Sequence, residues 1–129
     1  MNKSRSQRAV ERFRNIVEPH WKTPDVKDSL LFTFQELSEF ADALFRAGYE
    51  SKAYIRTHPD KNDAEAMRKV RHEAGQALMM LLTTMSAVGI SADEALATAL
   101  LDKMNDLHDN LTDDQLQLIS VIVDHIYED

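Results

Sequence analysis

The chain of 129 residues contains no cysteine. Disulfides, thiolate metal sites and thiol nucleophiles are therefore excluded. Glycine and proline number three each, too few to punctuate a turn-rich β-sandwich or barrel. No apolar run approaches the ~18–20 residues of a membrane span. No glycine-rich phosphate loop and no nucleophile-elbow context occurs, so phosphate contact has to come from metal ions and basic side chains. The start, Met1 to Arg14, is basic and polar and lacks the apolar block of a secretory signal, so a cytosolic location is expected. The net charge of −7 makes a nucleic-acid polymer a poor partner.

What is present points to one packed domain spanning 1–129. Hydrophobic residues make up 43% and charged residues 29%, enough apolar surface to offset ordering entropy. Charge is unevenly placed. Residues 1–27 carry seven Lys or Arg against three acids, and residues 91–129 carry ten acids against Lys103. These are either two solvated faces or a basic arm suited to a phosphate-bearing ligand.

Apolar spacing of three and four residues predicts five helices and no half-buried strand. They run over about 4–18, 24–47, 63–88, 92–107 and 113–127. Val10, Phe13, Ile16 and Val17 form the first stripe. The second includes Leu30, Leu31, Phe34, Leu37 and Phe45, and the third Val70, Ala77, Leu78, Leu81, Leu82 and Val88. Leu96, Leu100 and Met104 mark the fourth, and Leu116, Ile119, Ile122, Val123 and Ile126 the fifth. Thr23-Pro24 reads as N-cap and first helical position. Gly48 and Gly89 read as left-handed C-caps. Asn62 with Glu65, Ser91 with Glu94, and Thr112 with Gln115 are candidate capping boxes. The expected fold is all-α, a four- to five-helix bundle whose second and third helices pack antiparallel near the ~20° crossing of such bundles.

Three carboxylates stand inside apolar helices rather than on polar faces. Glu36 and Glu39 lie one turn apart in the second helix and project to neighbouring positions. Glu73, on the third, can face them from an antiparallel neighbour. Carboxylates that converge repel one another unless a cation sits between them. Oxygen-only ligands suit Mg²⁺ or Mn²⁺, and Mg²⁺ borrows further ligands from substrate phosphates. The alternative is that these residues are solvated, or paired with Arg46 or Lys69. The five histidines show no metal-binding spacing with a glutamate and read as surface or boundary residues.

Around these residues the sequence resembles the MazG-like, all-α nucleoside triphosphate pyrophosphohydrolases, including the dCTP-pyrophosphatase branch. Trp21-Lys22-Thr23-Pro24 resembles that branch's aromatic-then-Thr-Pro entry. The segment from Gln35 to Leu44 resembles the family's ExxE helix, and Glu73 to Leu82 its ExxD helix. Val88-Gly89-Ile90 and Leu101-Asp102-Lys103-Met104 resemble the turn and Lys-bearing helix that follow. The resemblance covers roughly 20–107 and leaves 112–127 as an extra C-terminal helix. It implies a Mg²⁺- or Mn²⁺-dependent release of pyrophosphate from a nucleotide substrate by a homodimer or tetramer. By position, Glu36, Glu39 and Glu73 match catalytic metal ligands. Lys103 matches a residue that approaches the phosphates, and Trp21 one that stacks on or walls the base. Two positions depart from the pattern. Gln76 stands where the family has its fourth acid, and Leu107 where an Asn often follows the Lys. A carbonyl can ligate a hard cation, but it brings no charge. The resemblance is therefore also compatible with a weakened or inactive helical interaction protein.

A second resemblance is to J-domain co-chaperones, through His58-Pro59-Asp60. The Lys-Ala-Tyr block at 52–54 lies about one turn too near that loop. The apolar helix 77–88 also runs beyond a J-domain core. A surface turn explains the same residues, with Pro59 ending one segment and Asn62 capping the next.

Overall fold

The computed structural model describes residues 3–48 and 64–128. It is all-helical: α1 (Arg5–Val17), α2 (Val26–Arg46), α3 (Ala64–Ala87), α4 (Ala92–Asp106) and α5 (Asp113–Ile126), with one 3-10 turn at His108–Asn110 between the last two. The described residues include no strand. No single helix among them is long and apolar enough to cross a membrane. Asn62, Glu65's proposed capping partner, and His58-Pro59-Asp60 lie outside the described residues.

Several expected end signals hold. Thr112 and Gln115 form a reciprocal capping box at the start of α5. Ser91 accepts the Glu94 N–H, one half of the box proposed for α4. Gly89 takes φ +76°, where only glycine escapes a Cβ clash with its own backbone. This conformation lets the Ile90 N–H reach the Met85 carbonyl and the Gly89 N–H reach that of Ser86. Two otherwise unpaired carbonyls of α3 are thereby satisfied. Gly48 ends α2 in the same region at φ +99°.

One start signal is corrected. The N-cap of α2 is Asp25, not Thr23, and the helix begins at Val26 rather than Pro24. The Asp25 carboxylate accepts the Asp28 N–H at 2.9 Å. Thr23 is instead tied back to α1, its N–H and hydroxyl both donating to the Glu18 carboxylate.

The main seam joins α2 to α3. Ser29 Oγ lies 2.7 Å from Thr84 Oγ1 near one end, and Ala43 and Ala47 cluster with Val70 at the other. Rising numbers on α2 meet falling numbers on α3, so the pair is antiparallel. The seam is built largely from Ser29, Thr33, Ala43, Ala47, Val70 and Ala77. Small side chains allow close helix approach and leave large ones elsewhere.

Much of the apolar stripe read from spacing accordingly faces outward. Leu30, Phe34, Leu37 and Phe45 on α2 are exposed, as are Leu78 and Leu81 on α3, Val88 just after it, and Phe13 and Ile16 on α1. The same is true of Leu31, Leu96 and Ile122. Periodicity identified the helices, but the stripe chosen for contact within the chain is the small one.

α1 is fastened to α3 and α4 through Gln7, which is completely buried. Its side-chain oxygen accepts the Ser4 and Ala92 N–H groups, at 2.9 and 2.8 Å. Its amide donates to the Ile90 carbonyl at 2.7 Å and to Ser86 Oγ at 3.3 Å. The whole hydrogen-bonding capacity of the amide is thus used. Ser4 completes an N-terminal capping box with the same residue.

Candidate metal centre

Glu36 belongs to the small-residue face of α2, in register with Ser29, Thr33, Phe40 and Ala43 at steps of three and four. Glu73 has the same relation to Val70 and Ala77 on α3. Both carboxylates are therefore carried into the seam, and Glu39 projects beside it one turn along α2. One oxygen from each of Glu36, Glu39 and Glu73 lies within 4.8 Å of the others. Glu73 is only 6% exposed, Glu36 is half-buried and Glu39 is exposed.

The charges strain this arrangement. Burial pushes the Glu36 carboxyl above its ordinary range. The Glu39 charge, a hydrogen bond with Glu39 and the Glu73 charge add to the effect, while His72 opposes it. Lys69 Nζ sits 3.1 Å from Glu73 and partly neutralises it. The ion-paired arrangement and the convergent one are thus both realised at Glu73. Arg46 pairs with Asp42 at 2.8 Å.

A concavity of about 680 Å³ opens here, lined by Ser38, Glu39, Asp42, Ala43, Arg46, Lys69 and Glu73. The donor set fits a hard divalent cation: three carboxylates and no sulfur or imidazole. Bonds of ~2.1 Å in an octahedron place neighbouring oxygens ~3 Å apart and opposite ones ~4.2 Å apart. A spread of up to 4.8 Å needs a closure of only about an ångström, or one water-bridged ligand.

The other residues read as site members are placed differently. Gln76 is half-buried one turn after Glu73 and does not line the concavity. Trp21 lies over the guanidinium of Arg14 on α1, 4.5 Å from ring centroid to Cζ. Lys103 is exposed on α4, a helix that packs chiefly on α5. Neither lines the concavity. Arg14 itself was missed from the sequence, although it is 4% exposed. Its signal was the register 7, 10, 14, 17, which places an arginine on the Val10–Val17 side of α1.

The fold and site define an all-helical protein with a three-carboxylate cluster that could hold a metal ion. No family model, curated protein or solved structure matches the chain.

Proposed function

We propose that the protein is a Mg²⁺- or Mn²⁺-dependent nucleoside triphosphate pyrophosphohydrolase of the MazG-like all-α type. The observation that carries this reading is the convergence of Glu36, Glu39 and Glu73 from two antiparallel helices. These three would hold the cation. When bound, it would supply charge neutralisation to the phosphates and lower the pKa of the attacking water. Water adds to the α-phosphorus, the P–O bond to the β-phosphate breaks, and monophosphate and pyrophosphate leave. The exposed ammonium of Lys69 and guanidinium of Arg46 on the wall of the concavity are suited to the outer phosphates.

In this reading the working form is a homodimer or tetramer. Leu30, Phe34 and Leu37 form an outward stripe on α2, and Leu78 and Leu81, continued by Val88 just past the helix end, another along α3. Ser29 and Thr33 stand level with Thr84, so the two stripes run side by side. At ~100° per residue, both fall on the side of the α2–α3 pair away from α1. An apolar surface of this extent marks an interaction site, and a second copy presenting the same face satisfies the self-complementarity of a two-fold contact.

The test is incubation with a panel of ribo- and deoxynucleoside triphosphates, with and without Mg²⁺ or Mn²⁺. Monophosphate plus pyrophosphate is expected from at least one. Glu36→Ala and Glu73→Ala should abolish turnover, and Gln76→Asp should preserve or raise it. No turnover with any nucleotide, together with no calorimetric metal binding, refutes the reading. The Lys69–Glu73 ion pair favours a second reading, a helical interaction protein of this fold without metal chemistry. Glu73→Ala would then leave oligomerisation and partner binding intact.

A further inference from the structure

Arg14 presents a separate problem farther along α3, toward its C-terminal end. It is 4% exposed, yet its Nε and Nη1 have no hydrogen-bond partner among the described residues. Three of the five N–H donors of a guanidinium are therefore unused. Among the described residues Nη2 reaches Met80 Sδ alone, at 3.2 Å, and a thioether is a weak acceptor. The Trp21 ring covers the guanidinium and contributes a cation–π attraction but no acceptor. Glu18 supports the charge from a distance, but its carboxylate is occupied by the Thr23 N–H and hydroxyl. Burial outweighs this support and pushes the Arg14 pKa down. A buried charge without an acceptor is rare in a folded protein and calls for a ligand or a compensating group.

A pocket of about 310 Å³ adjoins Arg14 between α1 and α3. Asn15, Thr83 and Ser86 add polar groups to its wall, and Val10 and Ala87 add apolar ones. Ser86 Oγ accepts from Gln7, which leaves its own proton free to donate. Glu11 also lines the pocket but is ion-paired with Lys3. Lys3 takes the Glu11 carboxylate and Thr23 takes that of Glu18, so what Arg14 lacks is an acceptor for its unused donors. The volume lies near the lower end of small-molecule sites, roughly 300–1,000 Å³. It has room for an acid group and a short body.

We propose that the α1–α3 pocket binds a small oxyanion-bearing molecule, a carboxylate or a phosphate, whose acid group draws the closed-off Arg14 guanidinium toward the pocket and takes its unused N–H donors. The pocket shares no lining residue with the carboxylate concavity. The proposal therefore stands or falls independently of the metal centre.

Trp21 is the only tryptophan in the chain and lies against Arg14, so its fluorescence reports changes at that guanidinium. Inorganic phosphate and acetate are titrated separately in EDTA, with ionic strength held constant by sodium chloride. A saturable change in Trp21 emission is expected with at least one, and the tighter anion assigns the head group. Asn15→Asp places a carboxylate on the wall at an exposed position. It should weaken the anion about ten-fold or more by like-charge repulsion. Arg14→Met should abolish the change while the protein, checked by circular dichroism, stays helical. Absence of saturation with both anions, the same change with chloride alone, or unaltered affinity in Asn15→Asp would each overturn the proposal.

Discussion

Replacing Glu36 by Gln removes one charge from the three-carboxylate cluster and keeps the side chain's size. At the 4.8 Å limit of the cluster, two like charges repel by about 0.9 kcal/mol in a water-like medium and about 3.5 kcal/mol at an effective dielectric of 20. Glu39 is exposed, so its pair with Glu36 lies near the lower figure. Lys69 offsets much of the Glu73 charge. A net relief of ~1 kcal/mol is therefore expected in EDTA. For a chain of 129 residues, with an unfolding entropy of ~2.1 cal/mol/K per residue, this is about 4 °C in Tm. Magnesium should reverse the order. A site with Kd of ~0.1 mM gains about 2.7 kcal/mol at 100-fold excess, whereas two carboxylates bind too weakly to gain more than ~0.5 kcal/mol. Wild type should then melt about 5 °C above the variant in 10 mM MgCl₂.

The pH dependence has a fixed sign. Because the folded Glu36 carboxyl titrates above its ordinary value, the folded state holds more protons than the unfolded one between those two values. Wild-type stability in EDTA therefore falls as pH rises through that window. The advantage of Glu36→Gln grows from near zero below the window to its full size above it. Thermal melts by circular dichroism, in EDTA and in MgCl₂ at acidic and neutral pH, measure all three effects. A variant less stable than wild type in EDTA at neutral pH refutes the electrostatic reasoning, and an unchanged order in MgCl₂ refutes the metal site.

Sedimentation equilibrium should give a dimer or tetramer, and Phe34→Glu, at a residue 63% exposed in the single chain, should dissociate it by placing a charge in the apolar contact. A monomeric wild type at all concentrations contradicts the proposed assembly. Gln7→Leu removes an amide that satisfies the Ser4 and Ala92 N–H groups and the Ile90 carbonyl. It should cost about 2–4 kcal/mol in urea unfolding, and a loss below about 0.5 kcal/mol would show that water replaces those bonds at no expense.

Helix positions and the acid cluster were legible because both depend on spacing along the chain. Steps of three and four identify a helix whichever of its faces is buried. Which face that is depends on the partner. On α2, two stripes carry the same period. One is small and polar, with Ser29, Thr33, Ala43 and Ala47; the other is large and apolar, with Leu30, Phe34 and Leu37. Hydropathy alone favours the second as the core, yet the first is the one buried. Small side chains let the backbones approach until Ser29 and Thr84 share a 2.7 Å hydrogen bond. That gain requires two matching helices and is invisible on either one. Gln7 and Arg14 were missed for a related reason: each is a polar residue on a helix side otherwise read as apolar, and only the facing atoms of α3 and α4 show which one is satisfied. Gln7 finds all its partners, and Arg14 does not. The same seam accounts for the carboxylates. Glu36 and Glu73 occupy the register of the small stripe, where the neighbours are too short to screen them from each other. Close approach built on alanine, serine and threonine is thus what brings the acids from two helices to one point.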